Sequence, residues 1–165
     1  MARLKAICFD LDGTLIDSDE AIVLSFFHAC DTLGLPRPSR EAIVNSIGYL
    51  LEDQIKRLLK CDPYVFAQVY REYYGKVCCE HTDLMPHARE ILETLQAAEL
   101  LLGFATSKRR YFAEIILRHL GVLDFFSARI GGEDVVKPKP DPEALYLVAK
   151  KLNVKPQEMM LVGDT

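Results

Sequence analysis

The sequence predicts an α/β fold in which a parallel sheet core carries an inserted helical domain. Three short apolar runs, at residues 4–9, 100–105 and 159–162, end abruptly at polar residues, as buried strands of a parallel sheet do. The segments before and after the second run show helical periodicity. Strands that alternate with helices in this way favour a parallel sheet with right-handed crossovers. Residues 18–82 break this alternation, because they hold helical patterns and no convincing strand.

The elements of the core follow from local signals. A weaker strand is expected near residues 128–131. Pro86 suits the first position of a helix over residues 87–98, and Gly121 suits the end of a helix over residues 111–120. Asp141 and Pro142 form a cap and first position for a helix that continues to Leu152. These elements place the core at residues 1–17 and 83–165.

The intervening residues 18–82 are expected to form a separate helical unit. Four helices are predicted, over residues 20–33, 40–47, 51–59 and 63–79, with Gly34 ending the first. Asp17 is interpreted as the N-cap of the first helix, with Glu20 completing a capping-box-like pair. The aromatic side chains here are expected to form the interior of the helical unit; they are Phe26, Phe27, Phe66, Tyr70, Tyr73 and Tyr74.

Composition excludes several functional classes. The chain has 165 residues, is 50% hydrophobic and carries a net charge of −4, and its basic residues form no stripe that would suggest nucleic acid. No apolar run approaches the roughly 18 residues of a membrane span, and the N-terminus does not resemble a secretory signal. The 5 cysteines include no Cys-x-x-Cys pair. We therefore expect a cytoplasmic protein with reduced thiols, either a monomer or a homodimer, with no nucleic-acid or membrane partner.

Polar residues follow each predicted strand and form the candidate site. Parallel strands deliver them to one edge of the sheet, where open α/β sheets bind ligands, and clustered carboxylates there favour a hard divalent cation. Each also has a structural interpretation: a solvated Asp-Gly turn, a helix cap at residues 106–107, a solvated lysine at 137 or 139, or a carboxylate near the chain end. The residues are Asp10, Asp12, Gly13, Thr106, Ser107, Lys137 and Asp164.

The order of these motifs resembles the haloacid dehalogenase superfamily. Residues 12–18, DGTLIDS, and 137–142, KPKPDP, are similar to its branch of phosphoglycolate phosphatases and β-phosphoglucomutases. The resemblance spans the whole chain, except that the helical insertion matches in placement more than in residues, and it implies a Rossmann-like core with a mobile helical cap, or lid, at residues 18–82. Relatives continue past Gly163-Asp164 with a further acidic residue, so the sequence is expected to be a fragment or a shortened form, and full activity of the 165 residues is an open question.

The resemblance also implies roles for the site residues. Asp10 is expected to be the nucleophile and Asp12 the general acid and base, while Thr106, the Ser107 amide and Lys137 stabilise the phosphoryl group. Mg²⁺ is expected to bind the Asp10 carboxylate, the Asp12 carbonyl and Asp164. Substrate contacts are expected from Gly13, Thr14, Ser107, Lys108 and Gly48, with Arg109 as another group that could meet an acidic substrate.

The predicted function is a magnesium-dependent phosphatase that acts on a small phosphorylated metabolite, with phosphoglycolate as the leading substrate. True dehalogenases of the superfamily carry a tyrosine where this chain has Asp12, so phosphoryl transfer is favoured over carbon–halogen cleavage. The alternatives are a β-phosphoglucomutase-like phosphomutase and a truncated, inactive phosphate-binding fragment. A signalling receiver module is disfavoured because Asp10 follows the first strand and a long helical insertion comes after it.

Overall fold

The computed structural model describes residues 3–164, which form a parallel sheet with helices around it and a helical insertion above one edge. The strands are β1 (Ala6–Phe9), β2 (Ile16–Asp17), β3 (Asp83–Leu84), β4 (Leu101–Ala105), β5 (Ala128–Ile130) and β6 (Met159–Val162). The helices are α1 (Asp19–Leu33), α2 (Arg40–Val44), α3 (Leu51–Leu58), α4 (Pro63–Val77), α5 (Ala88–Ala97), α6 (Arg110–His119) and α7 (Glu143–Leu152). This arrangement confirms the predicted fold class.

The main sheet has the strand order β5-β4-β1-β6, with every neighbouring pair parallel. Phe9 at the end of β1 lies beside Phe104 of β4 on one side and Val162 of β6 on the other. The chain leaves β1 towards β4 and β5 and later returns to the opposite side of β1, so a topological switch point lies beside the end of β1. Open α/β sheets bind their ligands at such a point.

Apolar packing fixes β1 in the centre of the core. All four of its residues are buried, and the Phe9 ring meets the edge of Phe126 with centroids 6.5 Å apart. Phe104 contacts the same Phe126 ring at 5.5 Å. Because the backbone of β1 is paired on both sides and its side chains are enclosed, the residue that follows Phe9 emerges at a rigid position.

The helical insertion comprises α1 to α4 and lies between β2 and β3. These two strands pair antiparallel, with Ile16 opposite Leu84, so both chain passages between the sheet and the insertion run side by side. The sequence did not predict them because two residues are too few to show periodicity. Within the insertion α1 packs on α4, where Phe26 lies 5.4 Å from Phe66 and 5.3 Å from Tyr70.

Local signals explain most helix ends of the insertion. Gly34 ends α1 in the left-handed conformation, with φ of 65°. Asp62 accepts hydrogen bonds from the first turn of α4, where Pro63 occupies the first position. Two predicted helices are shorter than expected, since α2 ends at Val44 and α4 at Val77.

The start of α1 differs from the predicted capping box. Ser18 is the N-cap residue, although the Asp17 carboxylate does accept a hydrogen bond from the Asp19 amide at 3.2 Å. Glu20 turns away and forms an ion pair with Arg40 at 2.6 Å. The expected reciprocal pair between Asp17 and Glu20 is therefore replaced by a contact between α1 and α2.

Strand β6 borders the sheet. The Met160 and Leu161 side chains on it are half exposed, so apolar surface lies open at this edge. Among the helices of the described chain, none has the length and apolar character needed to span a membrane.

Candidate active site

Asp10 is the central residue of the candidate site. It directly follows β1 and is 5% exposed, and Gly163 lies so near that a methyl group there would come within 3.3 Å of the Asp10 Cβ. The Leu11 amide donates to its Oδ1 at 2.7 Å, and the Lys139 ammonium donates to its Oδ2 at 2.5 Å. A buried carboxylate held by an amide and an ammonium is fixed in orientation and compensated in charge.

The lysine beside Asp10 is Lys139, and the prediction that placed Lys137 here needs correction. The Lys137 side chain is exposed to solvent, and its backbone amide donates to Glu143 Oε2 at 2.8 Å. The Val136 amide donates to the other oxygen of the same carboxylate at 3.1 Å. These two bonds tie this part of the loop to the start of α7, so the chain turns towards Asp10 only at Lys139.

Asp12 lies at the boundary between the sheet and the insertion. Its Oδ1 accepts a hydrogen bond from the Ser18 hydroxyl at 2.5 Å and forms an ion pair with the Lys108 ammonium at 2.9 Å. Lys108 also donates to the Tyr74 hydroxyl at 2.6 Å. Asp12 is therefore oriented by one residue at the start of α1 and by one in the loop after β4.

Thr106 and Ser107 occupy the loop after β4, next to the end of β1. Thr106 is 4% exposed, and its Oγ1 accepts a hydrogen bond from the Lys108 amide at 3.1 Å. Because the oxygen accepts that bond, the hydroxyl proton remains available for a ligand. The Ser107 hydroxyl donates to the Gly48 carbonyl of the insertion at 2.5 Å. The structure thus brings the predicted residues Ser107 and Gly48 into direct contact.

Asp164 packs against the turn formed by Gly13 and Thr14. The Thr14 hydroxyl donates to Asp164 Oδ1 at 2.9 Å. Gly13 has φ of 76°, and a methyl group built on it would lie 2.3 Å from Asp164 Oδ2. Glycine is needed at this position for two reasons, its positive φ and the space that it leaves for the carboxylate. Asp164, the third carboxylate of the predicted site, therefore lies beside the turn that carries Asp12.

The donor set at this edge suits a magnesium ion. Within residues 3–164, no group of three or more Asp, Glu, His or Cys side chains could hold a metal by itself. Mg²⁺ needs no such cage, because it keeps several water ligands and binds through one or two carboxylates. Asp10 and Asp164, with the Asp12 carbonyl, supply hard oxygen donors of the required type.

Two cavities meet at a loop of the insertion. One has a volume of about 360 Å³ and includes Asp12, Ser107, Lys108 and Arg109 in its wall. The other has a volume of about 550 Å³ and includes Asp10 and Lys139. Residues 47–49 line both cavities. The insertion therefore reaches down between the two groups of polar residues, and this loop is positioned to contact whatever occupies them.

Burial alters the acidity of two groups near the site. Burial raises the pKa of the Cys8 thiol to about 12, against the opposing influence of Lys139, so this thiol on β1 stays protonated. Burial also raises the pKa of Tyr74 well above its ordinary value, and the Asp12 charge adds to this effect. Neither group supplies a charge near neutral pH, and the charges of the site come from carboxylates and lysines.

Sequence reasoning missed three residues that contact the site. Lys139 shares the KPKP loop with Lys137, and no local signal distinguishes the two. Tyr74 was expected in the interior of the insertion; its ring is buried but also meets Phe112 of the core, and nothing indicated that its hydroxyl would reach Lys108. Ser18 is the last residue of the recognised DGTLIDS motif, and a hydroxyl six residues after Asp12 at a helix start could have suggested the contact.

Comparison with known proteins agrees with this geometry. The sequence profile described as haloacid dehalogenase-like hydrolase matches residues 7–165. A phosphoglycolate phosphatase from Escherichia coli (strain K12) is 32% identical over 187 residues, which cover 98% of this chain and 74% of that protein.

Solved structures show the same fold. The structure of a candidate haloacid dehalogenase-like hydrolase from Bacteroides fragilis superposes with a TM-score of 0.91 at 30% identity and covers 99% of this chain and 80% of that one. A candidate β-phosphoglucomutase from Thermotoga maritima has a TM-score of 0.73 at 27% identity, covering 98% and 77%. With its profile match, its fold and its strand-end carboxylates, the chain belongs to the haloacid dehalogenase-like hydrolase family.

Proposed function

We propose that this protein is a magnesium-dependent phosphatase that hydrolyses a small phosphate monoester of the phosphoglycolate type through an aspartyl-phosphate on Asp10. The observation that carries the proposal is the environment of the Asp10 carboxylate. Its carboxylate is buried at the switch point of the sheet, fixed by the Leu11 amide and paired with the Lys139 ammonium. An oriented carboxylate beside a cation is suited to attack a phosphorus atom whose negative charge would otherwise repel it.

In the first step, an Asp10 oxygen forms a bond to phosphorus while the ester oxygen leaves with the electron pair of the broken bond. Asp12 donates a proton to that oxygen and so releases a neutral alcohol. In the second step, water attacks the phosphorus of the aspartyl-phosphate and Asp12 takes up a proton from the water. The bond between phosphorus and the Asp10 oxygen breaks, its electron pair returns to the Asp10 carboxylate, and inorganic phosphate leaves. Asp12 is oriented for both steps by Ser18 and Lys108.

The transferring phosphoryl group gathers negative charge on its oxygens, and the site offers donors for it. Lys139 supplies an ammonium next to Asp10, Thr106 retains a hydroxyl proton, and the Ser107 amide lies in the adjoining loop. Mg²⁺ bound by Asp10, Asp164 and the Asp12 carbonyl would supply Lewis-acid stabilisation of the same oxygens. The Asp10–Lys139 contact and the Gly13–Asp164 packing support this assignment of roles.

The test is hydrolysis of p-nitrophenyl phosphate and 2-phosphoglycolate by the purified protein with Mg²⁺. Asp10→Asn is expected to lower kcat by about 10³-fold or more, because the amide is not a nucleophile. Asp124→Asn is the matched control, since Asp124 is exposed on the turn before β5. Rapid quenching followed by mass spectrometry should locate phosphate on Asp10. Undiminished turnover by the Asp10→Asn protein would exclude this nucleophile.

A phosphomutase is the second candidate, favoured by the structural likeness to the Thermotoga maritima protein. It would use the same two aspartates and return the phosphoryl group to a sugar hydroxyl instead of water. The products distinguish the two reactions. Release of inorganic phosphate from 2-phosphoglycolate supports the phosphatase, whereas formation of glucose 6-phosphate from β-glucose 1-phosphate without phosphate release supports the mutase.

A further inference from the structure

Lys108 joins the helical insertion to the candidate site through two polar contacts. Its ammonium lies 2.9 Å from Asp12 Oδ1 and 2.6 Å from the Tyr74 hydroxyl. The Lys108 side chain is only 8% exposed, an unusual position for a lysine. An ammonium has three N–H donors, and the hydrogen bond to Tyr74 uses one of them, so donor capacity remains for a ligand in the cavity that Lys108 lines.

The Tyr74 hydroxyl is held in place by the packing of its ring. Tyr74 is 1% exposed, stacks on Tyr70 with centroids 5.4 Å apart and contacts the edge of Phe112 at 5.1 Å. Phe112 belongs to α6 of the core, whereas Tyr74 belongs to α4 of the insertion. The raised pKa of Tyr74 keeps its phenol neutral. The Tyr74 oxygen therefore accepts a hydrogen bond from the Lys108 ammonium as a neutral hydroxyl.

The other cations around this cavity are engaged elsewhere or exposed. Arg71 forms an ion pair with Glu52 at 2.6 Å, and both line the cavity on the insertion side. Arg109 is exposed to solvent. Lys108 is therefore the buried cation that faces the cavity next to Asp12, at the place where the leaving group of a phosphate ester would lie under the proposed mechanism.

From this geometry we infer that Tyr74 is a positioning residue that holds Lys108 to bind a second anionic group on the substrate, a carboxylate close to the ester oxygen. The inference rests on the proposed phosphatase function. A lysine side chain has a flexible four-carbon stem, and fixing its ammonium in advance reduces the entropy lost on binding. Tyr74 supplies that restraint from the insertion, so selectivity for doubly anionic esters requires the insertion to be seated on the core.

The test compares two substrates that differ only in the second anion, 2-phosphoglycolate and ethyl phosphate. The measured quantity is the ratio of their kcat/KM values. Tyr74→Phe removes the hydroxyl and keeps the ring, and we expect the ratio to fall about 10-fold, mainly through a higher KM for 2-phosphoglycolate, as for loss of one hydrogen bond to a charged group. Lys108→Met is expected to lower the ratio at least as much.

Tyr73→Phe is the matched control, because the neighbouring Tyr73 ring stacks on His28 at 4.0 Å, away from Lys108. It should leave the ratio unchanged. The double variant Tyr74→Phe with Lys108→Met should show the ratio of Lys108→Met alone, since Tyr74 acts through the lysine. Circular dichroism of each variant checks folding, and Lys108→Met tests the same contact from the core side if Tyr74→Phe does not fold.

The outcomes separate this inference from the proposed function. A wild-type protein that hydrolyses neither these esters nor p-nitrophenyl phosphate would contradict both. Hydrolysis without preference for 2-phosphoglycolate, an unchanged ratio in Tyr74→Phe, or additive effects in the double variant would contradict the role of Tyr74 alone and leave the phosphatase proposal standing.

Discussion

Replacement of Gly13 by alanine should disable the site while barely affecting the fold. The new methyl carbon would lie 2.3 Å from Asp164 Oδ2, whereas an ordinary contact begins at 3.4 Å, so the carboxylate must retreat by about 1.1 Å. Because the carboxylate is at the end of a side chain, this movement costs little stability. It does, however, displace the Asp164 carboxylate from the position in which it accepts a hydrogen bond from the Thr14 hydroxyl, and a displacement of about 1 Å among catalytic groups can cost on the order of 100-fold in rate.

Gly34 provides the matched control for the backbone. It also has positive φ, 65° against 76° for Gly13, but nothing lies within 4 Å of a methyl group built there. Both alanine variants should lose about 1 kcal/mol of unfolding free energy from the left-handed conformation. Only Gly13→Ala should lose activity, by about 100-fold in kcat/KM.

The assay is hydrolysis of p-nitrophenyl phosphate over a series of Mg²⁺ concentrations, with urea unfolding measured on both variants. If Asp164 helps to hold the ion, Gly13→Ala should also need more Mg²⁺ for half-maximal rate than Gly34→Ala does. Equal activity of the two variants would show that the position of Asp164 against the turn has no bearing on catalysis, and the argument from the Gly13 contact would fail.

Two further predictions concern the loop after β5. Lys139→Met should lower kcat by about 100-fold or more because it removes the ammonium beside Asp10, whereas Lys137→Met should have little effect; the reverse result would return the role to Lys137. Glu143 should stabilise the loop only when ionised, because the amides of Val136 and Lys137 hold its pKa below the ordinary 4.5. The difference in urea midpoint between wild type and Glu143→Gln should be present at neutral pH and disappear as the pH falls below that value, and a constant difference would refute this assignment.

The sequence indicated the strand ends with good accuracy. Each of the four main strands was expected within two residues of its observed limits, since buried parallel strands are short apolar runs that end sharply. Asp10, Thr106 and Asp164 follow three of those strands, and pairing of β1 with β4 and β6 brings their ends to one edge of the sheet. The family resemblance, now confirmed by the profile match, supplied the chemical roles, which stay predictions.

Contacts that depend on the path of a loop could not be predicted from the sequence as the strand ends could. Lys137 and Lys139 are two residues apart in a proline-rich loop, and the choice between them follows from the bonds that Glu143 makes to the backbone. The Tyr74–Lys108 contact joins residues 34 positions apart. It depends on how the helical insertion sits on the core, which no local pattern encodes.

The sequence by itself determined the alternation of strands and helices, the carboxylates that follow the strands and the glycine of the Asp12 turn, because periodicity and backbone freedom are local properties of the chain. Only the tertiary structure decided which lysine faces Asp10 and which hydroxyls orient Asp12 and Lys108. Those contacts form between segments distant in sequence, and their geometry is set by the packing of the whole molecule.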